Sequence, residues 1–272
     1  KAAGLAGTGK VRVNKAGCLD RCAGGPVAVV YPEHCSGCSR CFDDCPYSAI
    51  TMVPHPNAKP GMRLAQVNSD LCASCGICAG SCPSSTPFRS AEQLVTGIDM
   101  PQWPVNDLRT QLIQSLHAMP GPERFVVFGC AQGIHSQLQA PDVLHFKLAC
   151  AGALPPSFVE YALRHGADGV LINGCREGGC EYRLGQRWTA QRLTGEREPH
   201  LRRSVPQDRW QVAWTDSGDE HRLAAALDDM RQRDERDSQR AVAPLTSPTP
   251  NSRRFAPRRG SSPLPTTPPS TR

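Results

Sequence analysis

With 272 residues, 39% of them hydrophobic, the chain is long enough for more than one domain and a sizeable core. The formal net charge of +6 sits in the last segment: residues 238–272 hold six arginines and no Lys, Asp or Glu, while residues 1–237 balance, which argues against a basic folded surface for nucleic acid. Fourteen cysteines, no apolar leader within residues 1–10 and no run of 18 apolar residues argue against a secreted disulfide framework or a membrane span, and predict a reducing, cytoplasmic setting with metal-bound thiolates.

The chain begins with Lys1 rather than Met, as expected of a fragment. Gly4, Gly7, Gly9 and Lys10 nearly spell a phosphate-binding loop. Val11 stands where Ser or Thr should meet magnesium, and no strand precedes it, so nucleotide binding is not expected. Residues 27–31 form a β-like run closed by Pro32.

Residues 34–88 hold two cysteine runs of one rhythm. Cys35, Cys38, Cys41 and Cys45, then Cys72, Cys75, Cys78 and Cys82, each read C-x2-C-x2-C-x3-C and end in proline, Pro46 and Pro83. This is the bacterial ferredoxin spacing for two [4Fe-4S] clusters, in which the fourth cysteine of each run serves the other cluster. Cluster I is therefore expected on Cys35, Cys38, Cys41 and Cys82, and cluster II on Cys72, Cys75, Cys78 and Cys45. Gly37 and Gly76 suit tight turns near the sulfurs. Zinc sites pair C-x2-C units instead, which disfavours zinc here. His34 adjoins Cys35 but has no corner left to fill. Between the runs, residues 50–53 and 64–67 read as two short strands around a turn-rich insert. The predicted unit is an α+β ferredoxin-like dicluster domain.

Residues 89–122 form a connector with one helix over 105–119, apolar at Leu108, Leu112, Ile113 and Leu116 and ended by Pro120, Gly121 and Pro122. Residues 123–237 change character. Strands are predicted at 125–128, 143–148, 169–172 and 210–214, and helices at 156–165, 182–193 and 219–233. Their alternation predicts an α/β domain with a mostly parallel sheet. Residues 238–272, with eight prolines and few apolar residues, are expected to be a disordered tail.

Cys130, Cys150 and Cys175 each end a predicted strand, and Cys180 follows within the same loop as Cys175. Ligands of open α/β sheets gather at the carboxyl ends of strands. Four thiols there suit a [2Fe-2S] cluster, a zinc ion, or structural and redox thiols. His135, His145, His165, His200 and His221 show no paired spacing, and Glu177, Glu181 and Asp216 form no acid–base pair, so no catalytic residue is predicted.

Residues 128–130, 150–152, 156–163, 166–175 and 180–183 together resemble the delta subunit of methyl-viologen-reducing hydrogenase, the hydrogenase iron–sulfur subunit family, over residues 123 to about 233. The resemblance implies that Cys130, Cys150, Cys175 and Cys180 ligate a [2Fe-2S] cluster. It also implies electron passage between a hydrogenase or other donor and a flavin-bearing, heterodisulfide-reductase-like partner. Ala149 departs from the proline expected before Cys150. Residues 13–22 and 25–32, in the 1–33 segment, resemble half of a thioredoxin-like [2Fe-2S] ferredoxin. Two further cysteines that family needs are absent, so Cys18 and Cys22 are expected to bind no cluster.

The reading is a non-catalytic iron–sulfur electron-transfer subunit of a multi-subunit oxidoreductase. The alternatives are a self-contained reductase, which lacks a GxGxxG fingerprint after a strand, and a zinc- or thiol-based redox sensor.

Overall fold

The computed structural model describes residues 26–57, 59–88, 96–131, 140–216 and 218–242. Cys18, Cys22 and the glycine-rich stretch at 4–11 lie outside the described residues, as do His135 and residues 243–272 of the expected tail.

In the first half, β1 (Val29–Val30) is shorter than the expected 27–31, because its pairing partner offers only Ile98 and Asp99. It is followed by α1 (Arg40–Asp43), β2 (Ile50–Pro54), β3 (Arg63–Val67), α2 (Ile77–Ser81) and β4 (Ile98–Asp99). β2 and β3 pair antiparallel with Ile50 opposite Val67, and β1 pairs antiparallel with β4. The third cysteine of each run lies in a short helix: Cys41 in α1 and Cys78 in α2.

α3 (Val105–Ala118) carries the connector. The Asp99 carboxylate caps its start, accepting from the Met100 N–H at 2.8 Å and the Val105 N–H at 3.0 Å. Burial raises the pKa of that carboxyl to about 6.

The second half contains β5 (Phe125–Cys130), β6 (Val143–Leu148), α4 (Ser157–Arg164), β7 (Gly169–Cys175), α5 (Gly185–Thr194), β8 (Trp210–Thr215) and α6 (Glu220–Val242). The strands stand in the order β6-β5-β7-β8, and all three pairings are parallel. β5 and β7 are buried along their whole length, as strands covered on both faces must be. Alternate residues serve opposite faces. Val126, Phe128, Val170 and Ile172 pack with α3 and α4, while Phe125, Val127 and Leu171 pack with Leu223, Leu227 and Met230 of α6. Phe128 is fully buried, with its ring 5.6 Å from Phe146 and 6.5 Å from Phe158. Phe128→Ala is expected to cost about 3–5 kcal/mol, read as a lowered urea midpoint.

Three boundaries differ from expectation. β7 continues past residue 172 because Asn173, Gly174 and Cys175 pair with β8, and the Asn173 side-chain amide donates to Ala213 O at 2.9 Å and Thr215 Oγ1 at 2.7 Å. α5 starts at Gly185, not at 182, because Arg183 has φ +66° in a turn that no helix tolerates. α6 runs through residues 238–242, expected in the tail, since no proline interrupts the sequence before Pro244.

The two halves meet closely. Gly80 of α2 lies on the turn at Ala151–Ala153, where a Cβ on Gly80 would stand 2.1 Å from the Gly152 carbonyl oxygen. Only glycine allows this approach.

Candidate metal centres

Local backbone geometry shapes each cysteine run. In the first, Gly37 and Ser39 flank Cys38 with φ +70° and +62°; in the second, Ser74 and Gly76 flank Cys75 with φ +56° and +75°. The turns expected from Gly37 and Gly76 are present, and each glycine has a serine counterpart in the other run. Left-handed residues amid right-handed ones aim successive N–H groups into a concavity that favours anionic sulfur. Among the described residues, the non-glycines with positive φ are Ser39, Ser48, Ser74 and Arg183, all close to cysteines. Such strained backbone gathers at functional sites.

The runs interlock. One cavity is lined by Cys72, Cys75 and Cys78 together with Cys45 from the other run. A second is lined by Cys35, Cys38 and Cys41 together with Cys82. Sulfur donors in fours suit soft metals, iron–sulfur clusters above all, and not hard cations. The residues present fit such a group. Burial, the larger cause, pushes the Cys41 and Cys75 thiols up to about 12 and raises that of Cys78 as well. A cation is needed to make thiolates of them, so loading releases protons.

The four later cysteines meet at the carboxyl edge of the parallel sheet. β5 and β7 are adjacent, yet the chain leaves β5 toward β6 and crosses back to reach β7, which opens a crevice at that edge. Cys130 ends β5 and Cys175 ends β7, with their sulfurs 3.9 Å apart. Cys150 follows β6, and its sulfur accepts the Gly152 N–H at 3.4 Å. Cys130, Cys150 and Cys175 are buried, and Cys180 is half-buried. The thiols are hydrogen-bonded in a ring. Cys130 meets Cys150 and Cys175, and Cys180 meets the same two. Bonds to Cys130 and Cys180, with burial, raise the pKa of Cys150 and of Cys175. Cys180, which accepts from Cys150 and Cys175, has its pKa lowered. Among the described residues no group of three His, Cys, Asp or Glu side chains is arranged around one point for a lone ion.

Cys75 and Ile77 pack in one buried cluster with Cys150 and Trp188, and half-buried Cys180 lies against it. The second cysteine run therefore touches the later four directly. The remaining candidates stand apart. His34 lies 3.7 Å from Glu33, His200 is 2.9 Å from Glu198, His165 stacks on Tyr161, and Asp216 pairs with Arg176 at 3.7 Å. Ser39 and Ser74 carry no local cue of their own; the match of the two runs marks them, because Ser39 aligns with Gly76 and Ser74 with Gly37.

Residues 34–86 match the family model of the 4Fe-4S dicluster domain. Residues 128–235 match that of methyl-viologen-reducing hydrogenase, delta subunit. A hydrogenase iron–sulfur subunit from Methanococcus voltae is 25% identical over 114 residues, 42% of this chain and 76% of that protein. Another hydrogenase iron–sulfur subunit, from Archaeoglobus profundus, is 42% identical over 45 residues, 16% of this chain and 33% of that protein. An uncharacterised ferredoxin from Methanocaldococcus jannaschii is 33% identical over 57 residues, 21% of this chain and 69% of that protein.

Proposed function

From a chain that belongs to the 4Fe-4S dicluster ferredoxins and carries a domain of the hydrogenase delta family, we propose an electron-transfer protein that relays single electrons between two [4Fe-4S] clusters and a [2Fe-2S] centre. The ligands are Cys35, Cys38, Cys41 and Cys82 for the first cube, Cys72, Cys75, Cys78 and Cys45 for the second, and Cys130, Cys150, Cys175 and Cys180 for the two-iron centre. The observation that carries this reading is the buried cluster shared by Cys75, Ile77 and Cys150, which packs two sulfur cages against each other. When bound, such centres take up and release one electron at a time.

The chain's own residues supply the path. Cys38, the exposed one of the twelve described cysteines, opens the first cage to solvent. Phe42, one residue after Cys41, is 47% exposed and offers an apolar contact for a redox partner. Ile77, fully buried, packs between the second cage and Gly152 and Gly185. The partners are a hydrogenase or other donor and a flavin-bearing, heterodisulfide-reductase-like acceptor. No helix among the described residues is long and apolar enough to cross a membrane.

A redox titration of the anaerobically purified chain, followed by EPR, tests the relay. The expected result is one-electron signals from four-iron centres and from a separate two-iron centre. Signals from cubes alone would remove the two-iron centre from the relay, and protein without reducible iron would remove the relay itself.

A further inference from the structure

Arg192 of α5 is 1% exposed and heads the fully buried side chains by size. Its Nη2 donates to Asp44 Oδ2 at 2.5 Å, and its Nη1 donates to the Gly152 carbonyl at 2.9 Å. Asp44 is itself buried, and its other oxygen accepts from Arg197 Nη1. The Arg197 guanidinium lies 4.6 Å from the centre of the Trp188 ring. Two guanidinium groups thus share one carboxylate, leaving a surplus positive charge that reaches solvent only through Arg197, which is 29% exposed. Such a surplus is costly unless something negative faces it.

The position says what that is. Asp44 adjoins Cys45 of the second cage, Gly152 follows Cys150 by two residues, and Trp188 packs with Cys75 and Cys150. Burial opposes the Arg192 charge, while Asp44 and, more weakly, the Cys150 sulfur favour it. The Arg192 Nε–H is buried and has no hydrogen-bond partner among the described residues. A charge held this close to Cys150 would face a sulfur centre there.

We propose that Arg192 is a positioning residue of the electron path: it ties the loop of Cys45 to the turn after Cys150, and its buried charge favours the reduced form of the two-iron centre. Reduction adds one electron and one negative charge to that centre, which a fixed positive group stabilises. The inference rests on the reading of Cys130, Cys150, Cys175 and Cys180 as iron ligands.

The test is an EPR-monitored redox titration of the full chain carrying Arg192→Lys, Arg192→Met or Asp44→Asn, beside the parent. In Arg192→Met the reduction equilibrium of the two-iron centre should fall at least tenfold, a downward shift of about 59 mV for one electron. Arg192→Lys should recover most of it. Asp44→Asn, which removes the opposing charge, should shift the equilibrium upward, a sign that general damage does not produce; it keeps the test decisive should Arg192→Met fail to fold. Potentials unmoved in both Arg192→Met and Asp44→Asn would overturn the inference and leave a mere strut. A parent chain with no reducible two-iron signal would overturn the underlying reading first, before any variant is compared.

Discussion

Cys45→Ala should remove the cluster proposed for the opposite cysteine run and spare the one beside it in sequence. Cys45 lines the cavity of Cys72, Cys75 and Cys78, while its own neighbours Cys35, Cys38 and Cys41 share theirs with Cys82. The Cys45 sulfur also accepts the Ala49 N–H at 3.3 Å, which holds it in that orientation. Alanine supplies neither a ligand nor an acceptor. Iron analysis should therefore show a loss of about four irons from a total of about ten per chain. The EPR signature of interacting cubes should collapse to that of one isolated cube. Cys82→Ala should do the converse. If Cys45→Ala kept the cube of Cys72, Cys75 and Cys78 and lost that of Cys35, Cys38 and Cys41, the crossed ligation would be wrong.

Gly185→Ala should abolish the later centre alone. A Cβ at Gly185 would stand 2.1 Å from the Cys150 sulfur and 3.5 Å from that of Cys180, while also meeting Ile77. Cys150 cannot yield, being buried and held by the Gly152 N–H. Overpacking of this kind costs about 1–3 kcal/mol and displaces the sulfur. About two irons should be lost and about eight retained, with the cube signals unchanged. Retention of all iron with an unaltered two-iron signal would show that Cys150 is not held where the ligand set requires.

What the residues reveal in linear order and what they hide follow from range. The cysteine spacing was readable because three cysteines two residues apart describe a loop that needs nothing distant to close. The strands ending in Cys130 and Cys175 were readable from their apolar runs, and the bounds of β6 at Val143–Leu148 agreed with expectation. β4 was not foreseen: Ile98 and Asp99 are two residues in a connector, and only their pairing with Val29 and Val30 makes them a strand. The Arg192–Asp44 pair joins residues 148 apart, and nothing local marks either one. Arg192 reads in sequence as an ordinary arginine on a helix, and its buried partners, Asp44 and the Gly152 carbonyl, are distant in the chain. Residues 1–25 and the end of the tail lie outside the described residues, and the expectations placed there remain expectations.

Mössbauer spectroscopy of the iron-57-enriched, anaerobically purified chain bears most directly on the central claim, because it counts iron by cluster type. About four-fifths of the iron should appear in four-iron cubes and about one-fifth in a two-iron centre, with no zinc in the protein. Iron found only in cubes, with zinc at the later four cysteines, would contradict a relay that ends on the sheet edge.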